Sequence, residues 1–217
     1  MGDISSDYIF SIDPGIVNVG VACYNGVNGD ILFANKLTLA PSLKVMENEA
    51  EIIPRVYKLF FDNENSPYKK MIDNSRIVLI ENQMKRKMLL VQHVIGALCF
   101  ASSINYEFVA PQSIKAHFKT GARSRAEKGI VLKGKKTNHK ANKKLGIEKA
   151  KELFPEYMSK VSVAKQDDIA DALLQAVWYS QGGDKFIEKK NETLSKKRKA
   201  TTKKTTTKKR KTNTKKK

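Results

Sequence analysis

The chain has 217 residues, a formal net charge of +19 and a hydrophobic fraction of 41%, enough for one well-buried domain with extensions and too little for two full ones. No run is long and apolar enough to span a bilayer, and the N-terminus lacks the charged-then-apolar pattern of a secretory signal. The two cysteines, Cys23 and Cys99, lie in apolar segments without CxxC or Cys/His spacing, which speaks against a disulfide scaffold or a zinc site and for buried free thiols in a soluble intracellular protein.

Residues 8–25 give two β-rich runs around the turn-former Pro14-Gly15, and the second turn "GVNGD" leads to "ILFANKLTLA" at 31–40. Three strands with tight turns predict an antiparallel meander. Residues 42–61 carry helical spacing with Ser42 as N-cap, and Pro54 inside them predicts a kink or break. The short apolar run "SRIVLIEN" (75–82) has the composition of a strand buried on both faces. A strongly apolar helix follows at 88–103, then a strand at 106–111 and a helix begun by Pro111. The basic, glycine-containing stretch 119–140 is expected to be largely a mobile loop. Helical periodicity returns at 140–157 until Pro155, and an acidic helix at 164–180 closes the domain. The order β-β-β-α-β-α-β-α-α-α implies an α/β fold, a mixed sheet with helices on its faces.

From Asp184 onward there are 16 Lys or Arg against 3 Asp or Glu, a net of +13, which leaves +6 for the first 183 residues. Domain 1–183 is therefore expected to be followed by a disordered Lys/Thr-rich basic tail, 184–217. Such a run attracts polyanions through counterion release and resembles a nuclear-import signal. Charge alone does not separate nucleic acid from an acidic membrane.

Against this basic background the stretch "AKQDDIADALLQAVWYS" is anomalous, because it sets Asp167, Asp168 and Asp171 beside an apolar stripe. Asp13 ends the first strand and Glu81 ends the buried strand "RIVLIE". A carboxylate after an apolar run is costly unless it is paired, metal-bound or at the rim. Asp168 and Asp171 are three apart and share a helix face. Each has an ordinary reading when taken singly: Asp13 as a turn residue, Glu81 as a strand end, Asp167 and Asp168 as first-turn acids favoured by the helix dipole. Taken together, and packed at the strand ends, Asp13, Glu81, Asp168 and Asp171 form an oxygen-donor set for a hard divalent cation such as Mg²⁺. Two such ions could activate water and stabilise the leaving oxygen in phosphodiester cleavage.

The segments "SIDPGIVNVGVACYN", "VLIENQ" and "KQDDIADALLQA", in that order and spacing, resemble the RuvC-type Holliday junction resolvases, in the branch that includes poxvirus and fungal mitochondrial enzymes. The resemblance spans roughly residues 8–180. It implies a ribonuclease-H-like fold, with a mixed five-stranded sheet of three antiparallel then two parallel strands flanked by helices. It further implies a homodimeric Mg²⁺-dependent endonuclease, with Mn²⁺ able to substitute, that nicks a four-way DNA junction symmetrically. The catalytic, metal-holding acids would be Asp13, Glu81, Asp168 and Asp171, with Asp167 a neighbour that tunes charge and Lys165 a basic group near the scissile phosphate. The helix around 88–103 would form the dimer interface. Bacterial relatives carry an aromatic in the loop after the glutamate; here "ENQMKRK" stands instead, so Met84 or Arg86 would take that place. Lys85, Arg86, Lys87, Lys133, Lys135, Lys136, Lys140, Lys143 and Lys144 are the candidate DNA-phosphate contacts.

The expected partner is thus branched DNA, with no membrane role, in the nucleus or another DNA-containing compartment such as a viral replication site. Two alternatives remain open on the sequence. One is a nuclease of the same fold acting on RNA–DNA hybrids or other branched DNA. The other is a non-catalytic basic DNA-binding or packaging protein.

Overall fold

Strands β1 (Tyr8–Asp13), β2 (Val19–Asn25) and β3 (Ile31–Leu37) pair antiparallel in succession. β4 (Ile77–Glu81) and β5 (Tyr106–Val109) then add parallel to β1, giving the order β3-β2-β1-β4-β5. This computed structural model describes residues 7–42, 44, 48–121, 135–183 and 185–187, without the side chains of 135–139. The mixed five-stranded sheet is the one expected, and the short turns enforce its first half: antiparallel neighbours tolerate tight connections, parallel ones need crossovers. At the β1–β2 turn a Cβ on Gly15 would stand 1.7 Å from the Asn18 carbonyl oxygen, so no larger residue closes it.

The helices are α1 (Ile52–Val56), α2 (Lys69–Asp73), α3 (Arg86–Ala101), α4 (Pro111–His117), α5 (Lys135–Leu153), α6 (Pro155–Ser159) and α7 (Gln166–Trp178). Strand alternation divides the core into two layers. Phe10, Ile12, Val21, Cys23, Val78 and Ile80 face α1 and α3, where Val56, Val91, Ile95 and Cys99 close the layer. Ala22 and Ala34 face the other way, onto Ile169, Ala170 and Leu173 of α7 and Met158 of α6. The small side chains on that face let α7 sit close to the sheet. On edge strand β3 the Tyr157 hydroxyl donates to the Ala34 carbonyl at 2.7 Å and accepts from its N–H at 3.0 Å, which occupies two groups that would otherwise invite another strand.

Three local expectations change. The helix forecast from Ser42 begins at a 3-10 turn, Glu49–Glu51, capped by Asn48, whose side chain accepts from Ala50 N–H at 3.1 Å. Pro54 causes no break there. It stands just after the tight turn gives way to α-helix, and a wide π turn, Tyr57–Phe61, follows, so the missing N–H falls where the hydrogen-bond pattern is already changing. The forecast loop 119–140 is helical from Lys135, because neither Pro nor Gly interrupts 135–145.

By contact density the chain divides into Met1–Trp178 and Tyr179–Lys217. The second unit contributes a helical turn, Tyr179–Gly183, with φ of 98° at Gly182. The forecast basic tail lies outside the described residues apart from 185–187. No helix among the described residues is long and apolar enough to cross a membrane.

Candidate active site

The strand register builds the site. Asp13 is paired with Gly20, and Gly20 with Lys36, so these three form one row across β1, β2 and β3 on the face that receives α7. On the other side of β1, Ile12 is level with Ile80, which brings Asp13 beside Glu81 at the end of β4. Gly20 is the opening in this row: a Cβ there would lie 2.2 Å from the Asp168 carbonyl oxygen. Only glycine lets the first turn of α7 descend onto the strand ends. One turn along α7, Asp171 and Glu81 together line a small cavity of about 20 Å³ with Pro111, Lys115, Thr120, Asn142 and Gly146.

The electrostatics are those of acids crowded out of water. Burial, then the Glu81 charge, pushes the Asp13 carboxyl well above its usual range. Glu81 is raised by burial, with the Asp171 charge adding to it. Asp171 is pushed up to about 7 by burial and then by Asp13. Asp168 is raised by burial and by Asp167. Asp167 goes the other way: burial opposes it, but its hydrogen bond to Lys143 holds it low. The raised carboxyls mark a cluster without enough positive charge to balance it.

Three lysines flank it. Lys36 Nζ is 3.2 Å from Asp168 Oδ2, a largely buried ion pair that lowers the Asp168 carboxyl against the burial that raises it. Lys115 of α4 lowers both Glu81 and Asp171. Lys143 of α5 binds Asp167 and acts at longer range on Asp13, Asp168 and Asp171. Gln83 Nε2 donates to Asp13 Oδ1 at 3.0 Å and to Glu81 Oε2 at 3.3 Å. Its own loop is fixed by Gln92 of α3, which accepts from Gln83 N–H at 2.7 Å and donates to Asn82 Oδ1 at 3.1 Å. Thus α3, on the far face of the sheet, positions the loop that follows Glu81.

Of the residues singled out in the sequence, Asp13, Glu81, Asp168 and Asp171 come together. Lys165 is placed elsewhere: its ammonium reaches Asn35 Oδ1 at 3.4 Å, and it lines a separate groove with Tyr157 and Val161. Met84 is 89% exposed at the loop tip beside exposed Lys85. Arg86 pairs with Glu49 at 3.1 Å, and Lys87 is half-buried at the start of α3. Lys140, Lys143 and Lys144 line an open groove of about 730 Å³ that ends at Asp167. Lys133 and the side chains of Lys135 and Lys136 lie outside the described residues. Sequence reading missed Lys36, Gln83 and Lys115. The signal for Lys36 was a lone cation on the inward face of β3, two residues after Ala34.

No group of three or more His, Cys, Asp or Glu among the described residues stands ready as a metal cage. The donor set nonetheless fits a hard divalent cation, being carboxylate oxygen throughout and under-neutralised, as the raised Asp13, Glu81 and Asp171 carboxyls indicate.

A mixed sheet carrying acids at its strand ends under a terminal helix is a ribonuclease-H-like α/β architecture. A solved structure agrees on the fold. Thermus thermophilus RuvC in complex with a Holliday junction substrate matches with a TM-score of 0.51 at 14% identity, over 82% of this chain and 94% of that one. This chain has the RuvC fold. Another Thermus thermophilus RuvC structure matches at 16% identity and a TM-score of 0.49, over 81% and 96% of the two chains. The yeast mitochondrial Holliday junction resolvase matches at 13% and 0.49, over 82% and 80%. No family model and no curated protein matches the sequence.

Proposed function

We propose that the chain is a divalent-cation-dependent endonuclease that nicks four-way DNA junctions in symmetric pairs as a homodimer. The observation that carries this reading is the convergence of Asp13, Glu81, Asp168 and Asp171 under α7, flanked by lysines, in a chain of net charge +19. A protein that only binds phosphate gains nothing from an acidic cleft, whereas a hydrolase needs one. Asp13, Glu81, Asp168 and Asp171 would hold Mg²⁺, or Mn²⁺ in its place, which when bound supplies an activated water and neutralises charge on the leaving oxygen.

The remaining roles fall to the chain itself. Gln83 bridges Asp13 and Glu81 through its side-chain amide. Lys115 adds positive charge beside the carboxylates where the scissile phosphate would rest. The groove of Lys140, Lys143 and Lys144 receives backbone phosphates leading to the acids. Met84, exposed at the loop tip, is placed to enter the junction centre. Dimerisation through α3 is supported by its outward residues His93, Ala97 and Phe100, the last 77% exposed. Residues 184–217 form a basic tail that adds non-specific DNA attraction.

The test is cleavage of a synthetic four-way junction with and without Mg²⁺, compared with flap, linear duplex and RNA–DNA hybrid. Asp168→Asn and Asp171→Asn are expected to abolish nicking while leaving junction binding. Undiminished cleavage by both variants overturns the assignment, and equal cutting of the hybrid reassigns the substrate.

A further inference from the structure

The lysine nearest the acids in the strand row has a position that its charge alone does not explain. Lys36 lies level with Gly20 and Asp13, on the face covered by α7, with its side chain only 21% exposed. Its ammonium donates to the Ala164 carbonyl at 3.1 Å, in the turn that precedes α7, and stands 3.2 Å from Asp168 Oδ2. The backbone contact pins the cation. The contact with Asp168 is an ion pair that lowers that carboxyl against the burial that raises it. A divalent cation attracts that carboxylate more strongly than a single ammonium does, so the two compete for it.

We infer that Lys36 is the built-in counter-ion of Asp168, the group that a divalent cation must displace on entering the cleft, and that it thereby sets the cation concentration at which the site fills. This rests on the metal-binding reading proposed above and adds a positioning residue to it. The other two lysines are differently employed: Lys143 is bonded to Asp167, and Lys115 acts on Glu81 and Asp171. Lys36 is the flanking cation in ion-pair contact with Asp168. Two positive charges cannot share that oxygen without strong repulsion, so occupancy by one disfavours the other. Anchored to Ala164, the displaced ammonium stays at the rim of the site, where it keeps α7 in register with β3.

The experiment measures Mn²⁺ binding to the full chain without DNA, by calorimetry and by the loss of the free-ion paramagnetic resonance signal, at one mildly alkaline pH for all variants. Lys36→Met is expected to bind Mn²⁺ roughly tenfold more tightly than the wild type, and Lys36→Arg, which keeps the charge, close to the wild-type value. Lys36→Gln serves in place of Lys36→Met should the latter fail to fold. Equal or weaker binding by the neutral variant, with the wild type binding normally, overturns this inference and leaves the nuclease reading standing. Absence of Mn²⁺ binding in every protein overturns both.

Discussion

Replacing Asp171 with Asn removes one negative charge from α7 and leaves the side-chain volume nearly unchanged. In the wild type, burial and then the Asp13 charge move this carboxyl from 3.8 to about 7. The folded-state value lies above the unfolded one, so the stabilising contribution is complete below about 3.8 and is lost as pH rises through about 7. That displacement corresponds to roughly 4 kcal/mol withdrawn across the window, an upper bound because the cleft keeps an opening to water. Asp13, Glu81 and Asp168 are raised as well and act in the same direction. The metal-free wild type should therefore lose stability steeply from acid to mildly alkaline pH, and Asp171→Asn should lose distinctly less. Urea unfolding in chelator across this range measures both curves. Added Mg²⁺ should restore the wild type at alkaline pH and do little for the variant. Parallel pH–stability curves for the two proteins would refute the reasoning, because Asp171 would then not be titrating as a desolvated, crowded acid.

Gly20→Ala drives a Cβ to within 2.2 Å of the Asp168 carbonyl oxygen, backbone that cannot swing aside, and should cost about 1–3 kcal/mol together with junction cleavage. Normal stability and full cleavage would show that α7 does not rest on that opening. Lys115→Met removes a charge that lowers both Glu81 and Asp171, so the acid limb of the cleavage rate should move to higher pH; an unmoved limb counts against a role for Lys115. Deleting residues 184–217 removes a net +13 and should flatten the dependence of junction affinity on salt without altering the preference for junctions over duplex. Loss of that preference in a titration would make the tail, rather than the cleft, the reader of structure.

What the sequence determined by itself is local in origin. Alternation and tight turns specified β1 to β3, the continuous apolar run specified β4 as a strand buried on both faces, and Pro111 marked the start of α4, because each signal acts within a few residues. Ends and irregular turns were less legible: Asn48 rather than Ser42 caps the segment before α1, and the segment from Lys135 is helical despite its dense charge. The carboxylates were conspicuous for a related reason. Asp13 and Glu81 end apolar strands and Asp171 interrupts an apolar stripe, and an acid in such a place is costly enough to stand out in one dimension.

Only the tertiary structure decided which cations meet those acids. Lys36, Lys115 and Lys143 look like any of the 41 basic residues in the chain, and each comes from a different element. Strand register sets Lys36 level with Asp13, the bare surface of Gly20 lets Asp168 come down between them, and the cavity beside Gly146 brings Lys115 toward Asp171. A charge's partner is fixed by distance in space, and that distance exists only after strands far apart in sequence have paired and α7 has packed across them.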